Sequence, residues 1–277
     1  TQQKVTLDRD RKKAYLAVYH VNSQKLVQLG TTHWETIELV NKGDANFVLA
    51  KSTANYSHEH WDWNPKQDVA TIDLSSGKLS LVKEKLEGNA RTSPKGKYVY
   101  WFSNPDSAWF AYDTQQLKLH QLTSNREVSF TDETDDHPDF PRPYGLAGWT
   151  ENDAKIVIYD RYDLWEFAPG ATTGKKLTDG RATKDVYRYV SLDPEADHIT
   201  ISPATLVRSF NEKTRRTGFY QLTTSTTPKR LYEVDAKLGP QILKAKDSNK
   251  VLFTQETFKD YPNWYLTSTS IEKPTRI

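Results

Sequence analysis

A unit of short apolar strands separated by polar turns recurs along the chain, and it is clearest in residues 144–169. There the apolar segment 145–149 is followed by a polar turn, and the β-branched and aromatic segments 156–159 and 164–167 follow in turn. Three short strands at this spacing make most of one antiparallel sheet. The sequence is therefore constrained to small antiparallel sheets joined by tight turns.

Two copies of this unit align well, at residues 92–123 and 149–178. Each has a turn, two strands, a polar turn and a closing segment that ends in Leu-Thr. Weaker copies are centred on strands predicted at 14–19 and 25–29, at 47–50, 69–74 and 78–83, at 187–192, 199–201, 218–222 and 230–234, and at 242–245, 251–255 and 264–267. No stretch carries a helical period beyond a turn or two, and residues 211–216 are predicted to be a charged hairpin loop.

A repeat of about 40–50 residues with four strands is typical of a β-propeller blade. The sequence predicts an all-β fold, a β-propeller of about six to eight four-stranded blades in a closed or incomplete ring. We expect residues 1–277 to form a single propeller domain. A β-sandwich is the structural alternative, but it predicts no such recurrence.

Charge and composition exclude several classes of function. The 277 residues carry a formal net charge of +2, which gives no electrostatic basis for binding nucleic acid or an anionic membrane. The apolar runs are only as long as strands, so none is expected to span a bilayer. The chain has no cysteine, which excludes disulfides and thiolate metal sites. It begins without Met, so we expect a processed chain or a fragment.

Longer segments of the chain resemble a known family. These are SPKGKYVYWFS (93–103), DDHPDFPRPYGLAGWTENDAKIVIYDRYDLWEFAP (135–169), LTDGRATKDVYRYVSLDPE (177–195), FNEKTRRTGFYQL (210–222) and VLFTQETFKDYPNWYLTS (251–268). They are similar to the propellers of the prolyl oligopeptidase and dipeptidyl-peptidase family of serine peptidases, in their bacterial form. The resemblance covers nearly the whole chain.

The resemblance implies a propeller that caps an α/β-hydrolase domain. The nucleophile of that family lies in a G-x-S-x-G motif, which this sequence lacks, so no catalytic residue is assigned. The pair of adjacent glutamates by which dipeptidyl peptidases hold a substrate's amino terminus is also missing. The expected function is a non-catalytic propeller that gates peptide access to a hydrolase domain absent from this chain. The alternative is a free-standing propeller that binds a protein or a ligand.

The same resemblance implies the partners and the location. The expected partners are the α/β-hydrolase domain of the same polypeptide and peptide substrates, without nucleic acid or membrane. The expected location is periplasmic or extracellular, although a cytoplasmic one remains open. No cofactor is expected.

The best candidate for substrate binding is the segment Asp160-Arg161-Tyr162-Asp163, in which an arginine lies between two carboxylates. If Arg161 faced the central channel of a propeller, its guanidinium would clamp a substrate carboxylate. The alternative is a turn between two strands that contains local ion pairs.

Two segments suggest metal binding, but neither predicts a site. On an extended chain His58 and His60, which lie near Asp62, point the same way and could reach one ion, yet no second cluster completes the coordination. The acidic segment 132–139 offers oxygen ligands but lacks the spacing and glycine of an EF-hand loop. The alternatives are a polar loop and a solvated insertion, and we predict no metal site.

The aromatic residues of segment 98–112 and Trp149 are predicted to be core. Inter-blade packing needs large flat side chains at such strand positions, and this explains them without a ligand. Gly145 and Gly148 are expected to allow the close approach of neighbouring groups. Pro143 should start this strand from a stiff, non-helical segment.

Overall fold

The computed structural model describes residues 2–59, 61, 64–124, 128–171 and 173–277. The chain divides into two compact units, residues 1–105 with 111–119 and residues 106–110 with 120–277. This division does not test the expectation of a single domain. Among the described residues, no helix is both long and apolar enough to cross a membrane.

The described strands form six sheets, five of which have four strands. A hairpin of β1 (Ala17–His20) and β2 (Lys25–Gln28) comes first. Sheet I contains β3 (Thr36–Leu39), β4 (Phe47–Ser52), β5 (Lys66–Asp73) and β6 (Leu79–Glu87); sheet II contains β7 (Arg91–Thr92), β8 (Tyr98–Ser103), β9 (Ala108–Asp113) and β10 (Lys118–Gln121).

The other three sheets lie in the second unit. Sheet III contains β11 (Leu146–Trp149), β12 (Ile156–Tyr159), β13 (Leu164–Phe167) and β14 (Lys175–Lys176). Sheet IV contains β15 (Asp185–Tyr189), β16 (Leu206–Asn211), β17 (Thr217–Gln221) and β18 (Lys229–Val234). Sheet V contains β19 (Lys237–Lys244), β20 (Lys250–Glu256), β21 (Asn263–Ser268) and β22 (Thr275–Arg276). Strand order follows chain order in every sheet, and every pair with a described register is antiparallel.

The repeated Leu-Thr dipeptide follows the fourth strand of a sheet and forms hydrogen bonds with the start of the third strand. In sheet III the amide of Leu177 donates to the carbonyl of Leu164 (2.8 Å), and the amide of Leu164 donates to Oγ1 of Thr178 (3.1 Å). Leu122 and Thr123 make the equivalent two bonds with the first half of β9 in sheet II, at 2.8 and 2.9 Å. The threonine hydroxyl thus replaces the ladder carbonyl that would otherwise accept this amide hydrogen.

Sheet IV has buried side chains on both of its faces. Val207 and Tyr220 pack with residues of sheet III, while Leu206 and Phe219 pack with residues of sheet V, among them Phe253. Successive side chains of a strand point to opposite faces, so neighbouring residues of β16 and β17 contribute to both clusters. The core of the second unit therefore lies between consecutive sheets.

Trp149 is buried, as predicted, with 2% of its surface exposed. The two glycines before it have different roles. Gly148 lies at a register shift of β11, and a Cβ there would be 3.0 Å from Cγ2 of Ile199. Gly145 has φ +92°, and no atom lies within 4 Å of the position that a Cβ would take there. Its requirement is therefore conformational, and the expected close approach is wrong at this glycine.

Helix α1 (Gln2–Arg11) and strand β16 were missed in the prediction from the sequence, and so was β3, since no strand was predicted at 36–39. Helix α1 was not expected, because its sequence shows no apolar stripe. In the structure residues 4–11 are mostly exposed, which agrees with the lack of an apolar face. The second strand of sheet IV is Leu206–Asn211, whereas residues 199–201 form no strand and Ile199 makes one isolated bridge. The apolar run of this strand is interrupted by Arg208, which concealed it.

Candidate functional site

The turn between β12 and β13 is held by Asp160. Its Oδ1 accepts hydrogen bonds from the amides of Tyr162 (2.6 Å) and Asp163 (2.7 Å), and its Oδ2 accepts one from Nε1 of Trp165 (3.0 Å). Asp160 is fully buried. The carboxylate therefore fixes the conformation of the turn and does not present itself to solvent.

Asp163 joins the same turn to the segment after β14. Its Oδ1 accepts hydrogen bonds from Oγ1 of Thr178 (2.8 Å) and the amide of Gly180 (2.6 Å). Its Oδ2 lies 3.2 Å from Nζ of Lys176, an ion pair without hydrogen-bond geometry. Burial raises the pKa of Asp163 despite these partners, because it penalises the charged form.

Arg161 projects from the turn and binds Glu212, in the hairpin loop between β16 and β17. Its Nε and Nη2 donate to Oε1 at 3.1 and 3.0 Å, and Nη2 also donates to Oε2 at 3.1 Å. The hydroxyl of Tyr162 donates to the same Oε2 (2.8 Å). Burial acts to raise the pKa of Glu212, but the bonds from Tyr162 and Arg161 outweigh it and the pKa is lowered.

Three cations surround the ring of Tyr162. The guanidinium carbons of Arg161 and Arg181 lie 5.3 and 5.0 Å from its centroid, and Nζ of Lys184 lies 5.1 Å from it. Arg181 also binds Glu133, with Nη2 to Oε1 at 2.7 Å and Nη1 to Oε2 at 3.1 Å. The ring thus stands at the centre of a network in which two of the three cations have carboxylate partners.

The structure brings the three predicted binding residues together, but in different roles. Asp160 and Asp163 are buried turn-formers, and only Arg161 extends to the partly exposed network. A substrate carboxylate at Arg161 would have to displace Glu212. Binding of substrate by these residues stays a prediction, and the partner Glu212 was not recognisable from the sequence because it is distant along the chain.

The acidic segment 132–139 contains one cluster with ligand-type atoms. Oδ1 of Asp135 accepts bonds from the amide (3.0 Å) and Nδ1 (2.7 Å) of His137, and ligand atoms of these residues and Asp136 lie within 4.8 Å of one another. The hydrogen bond from the backbone amide of His137, and then the one from its ring, lower the pKa of Asp135. Local hydrogen bonds account for the arrangement, and we assign no metal to it.

The other histidine segment is only partly described. Glu59 binds Nζ of Lys66 (2.7 Å) and lies 3.5 Å from Nε2 of His58, which is exposed. His60 and Asp62 lie outside the described residues. Among the described residues of this segment, Glu59 forms an ion pair with Lys66, and His58 lies beside it.

A cavity of about 1210 Å³ lies between sheets IV and V. The register of β19 against β20 shifts between Leu238 and Ile242, so residues 239–241 leave the ladder beside it. Pro240 within this bulge has no amide hydrogen to donate. The side chains that line the cavity include Arg188, Tyr189, Arg208, Phe210, Ile242 and Phe258.

Two arginines of the cavity wall lie directly opposite each other on β15 and β16. Arg188 donates to the carbonyls of Tyr187 (2.7 Å), Asp160 (3.3 Å) and Arg161 (3.2 Å). Arg208 donates to the carbonyls of Leu238 and Gly239 on β19. Burial lowers the pKa of both guanidinium groups. The sequence signal that would have found them is a charged residue inside an otherwise apolar strand.

Comparison with known proteins shows similarity of structure only. No protein-family model and no curated protein matches the chain. A solved structure from a study of two prolyl endopeptidases has a TM-score of 0.52 and 13% identity, covering 96% of this chain and 38% of that one. Dipeptidyl peptidase 4 of Porphyromonas gingivalis has a TM-score of 0.50 and 12% identity, covering 96% and 44%. The β-propeller domain of the trilobed protease of Pyrococcus furiosus has a TM-score of 0.38 and 15% identity, covering 91% and 74%.

The chain thus spans about two fifths of the length of the first two structures. At this identity the likeness establishes the fold. Together with the four-stranded antiparallel sheets, it confirms the expected all-β class and the resemblance in fold to prolyl peptidases. The fold is a β-propeller similar to parts of a prolyl endopeptidase structure and of dipeptidyl peptidase 4 of Porphyromonas gingivalis.

Proposed function

We propose that this chain is the non-catalytic propeller of a prolyl-oligopeptidase-like serine peptidase and gates peptide access to its hydrolase domain. The observation that carries the proposal is the likeness to the prolyl endopeptidase structure, which extends over 96% of this chain and only 38% of that one. The sequence itself has no G-x-S-x-G motif for a nucleophile. The proposed partners are a hydrolase domain of the same polypeptide and short peptides.

The proposed mechanism of gating is steric. A propeller built from small, tightly paired sheets presents a rigid cover, and a folded protein is too wide to pass such a cover. An extended peptide is narrow enough. The proposed contact for the peptide is Arg161, held in place by the turn that Asp160 and Asp163 fix, with Glu212 as the exchangeable partner.

The test begins with the gene. We expect the open reading frame to continue past Ile277 into a segment with G-x-S-x-G, and the full polypeptide to cleave a short Pro-containing peptide. A folded protein that carries the same sequence in a structured region should be cleaved far more slowly. Equal cleavage of both substrates would contradict gating, and a frame without a hydrolase segment would contradict the peptidase proposal.

The isolated chain provides a second test. It should take no covalent label from a fluorophosphonate probe, since it has no nucleophile elbow. Stoichiometric labelling of one serine, located by mass spectrometry, would show a catalytic site in the propeller itself.

A free-standing propeller that binds a ligand is the second candidate function. The cavity between sheets IV and V favours it, because ligand pockets are typically about 300–1,000 Å³ and this one is of that order. The continuation of the reading frame separates the two candidates.

A further inference from the structure

Most of the charged side chains that line the cavity between sheets IV and V are basic. Arg188 and Arg208 are paired directly across β15 and β16, and in the described part of the chain neither has a carboxylate oxygen within 4 Å. Like charges directly opposite each other are unfavourable in a sheet, and a charge shielded from water costs free energy unless it is compensated. The site would be stabilised by an anion.

Both arginines keep hydrogen-bond donors for such an anion. A guanidinium has five N–H donors. The bonds described above use only Nη1 and Nη2 of each side chain, and no described residue accepts from Nε of either. Neither Nε atom is fully buried, and both side chains line the cavity.

The backbone bonds hold the two guanidinium groups in fixed positions. Arg188 is anchored to the carbonyl of Tyr187 on its own strand and to two carbonyls of the β12–β13 turn of sheet III, and its guanidinium carbon lies 4.6 Å from the ring centroid of Tyr159. Arg208 is anchored to two carbonyls of the β19 bulge on the side of sheet V. Donors that are positioned before a ligand arrives lose little conformational entropy on binding.

The rest of the wall is apolar, with an excess of basic residues at its edge. Tyr189, Phe210 and Ile242 offer hydrocarbon and aromatic surface, and Phe258 is fully exposed beside them. The charged lining residues are five basic and two acidic ones: Arg188, Arg208, Arg215, Lys237, Lys244, Asp235 and Glu256. Lys237 and Glu256 neutralise each other at 2.5 Å. The ligand that fits this wall has one anionic end and an apolar body.

We propose that this cavity binds an organic carboxylate, with Arg208 on the carboxylate group, Arg188 as a neighbouring positive charge and the apolar wall around the adjoining hydrocarbon. The planar carboxylate matches the fork of guanidinium donors, whereas a bare phosphate would leave the apolar wall unfilled. The carboxylate belongs either to the C-terminus of a short peptide or to a free small acid. This site stands apart from the proposed gating function, and failure of one leaves the other intact.

The proposal is tested by isothermal titration calorimetry on the 277-residue chain. The probes are N-acetyl-glycyl-phenylalanine, its C-terminal amide, 3-phenylpropionate and inorganic phosphate. We expect the dipeptide acid to bind at least about tenfold more tightly than its amide. If 3-phenylpropionate binds as tightly as the dipeptide acid, the natural source is a free acid. If it binds about tenfold more weakly, the source is a peptide C-terminus.

Variants connect the binding to the arginines. Arg208→Gln should weaken binding of the tighter acid by at least about tenfold and leave the affinity for the amide unchanged. The matched control is Arg230→Gln, on β18 of the same sheet, because Arg230 is exposed and lies outside the cavity lining. This control should bind the acid like the unchanged chain.

The proposal is overturned if acid and amide bind equally, if no probe binds, or if phosphate binds more tightly than either acid. Equal losses in Arg208→Gln and Arg230→Gln overturn it as well. Should Arg208→Gln fail to fold, the comparison of acid with amide on the unchanged chain decides alone.

Discussion

Arg161 and Glu212, which lie 51 positions apart, form a bidentate ion pair between consecutive sheets. The arginine belongs to the β12–β13 turn of sheet III and the glutamate to the β16–β17 hairpin loop of sheet IV. The hydroxyl of Tyr162 supports the pair through Oε2 of the glutamate. Side-chain exposure is 25% for the arginine and 28% for the glutamate, so water screens the pair only in part.

We predict that this pair is more strongly coupled than an ordinary surface pair. A double-mutant cycle with Arg161→Gln and Glu212→Gln should give a coupling free energy of about 1 kcal/mol or more in urea unfolding. The matched control is Lys13 with Glu35, an exposed pair at 2.6 Å, for which we expect a much weaker coupling because water screens it. Equal coupling in the two cycles would contradict a special role for the inter-sheet pair.

Trp149 provides a test of the core. Removing a buried tryptophan side chain leaves a large cavity, and Trp149→Ala should lower the free energy of unfolding by about 3–5 kcal/mol. Such a loss yields insoluble protein or a sharply lower melting temperature by differential scanning fluorimetry. His58→Ala, at a side chain with 70% exposure, should change neither. An unchanged melting temperature for Trp149→Ala would mean that this face of sheet III is not packed.

Local sequence pattern was sufficient for most strands of the fold. The bounds of β12 and β13 were predicted without error, because their β-branched and aromatic runs are ended by the charged turn between them. Repetition of the unit then predicted the blades of the propeller. β16 was missed since Arg208 interrupts its apolar run, and α1 was missed because it has no apolar face.

The candidate sites depended on distances that the pattern does not contain. The role of Arg161 changed once Glu212, on a different sheet, proved to be its partner. The bulge of β19 that lines part of the cavity depends on the register of β19 against β20, which no periodicity reveals. Arg188 and Arg208 are recognised as neighbours only when the strand register is known.

The buried carboxyl group of Asp163 predicts a pH dependence of stability. Burial raises its pKa in the folded protein above the ordinary value of 3.8, so folding favours the protonated form. Its contribution to stability is therefore complete below about pH 3.8 and is lost as the pH rises through the folded pKa. As the pH rises from about 3.8 through the folded pKa, the stability of Asp163→Asn relative to the unchanged chain should increase and then level off. Urea unfolding at a series of pH values measures this.

Asp73 serves as the control of opposite sign. Hydrogen bonds from Ser76 and then Ser75 lower its pKa to about 2, so folding favours the ionised form. Its contribution is present above pH 3.8 and is lost as the pH falls towards about 2. The stability of Asp73→Asn relative to the unchanged chain should therefore increase only at acid pH. Parallel profiles for the two variants would show that burial does not dominate at Asp163.

The Leu-Thr repeat predicts unequal effects of two equivalent substitutions. Oγ1 of Thr178 accepts from the amide of Leu164 and donates to Asp163, whereas among the described residues Oγ1 of Thr123 bonds to the amide of Trp109 alone. Valine keeps the shape of threonine but removes each of these bonds to a buried partner, at a cost of about 1–3 kcal/mol for each bond lost. Thr178→Val should thus destabilise the protein about twice as much as Thr123→Val in urea unfolding. Since both threonines are buried to the same degree, a larger loss at Thr123 would mean that the link to Asp163 contributes nothing.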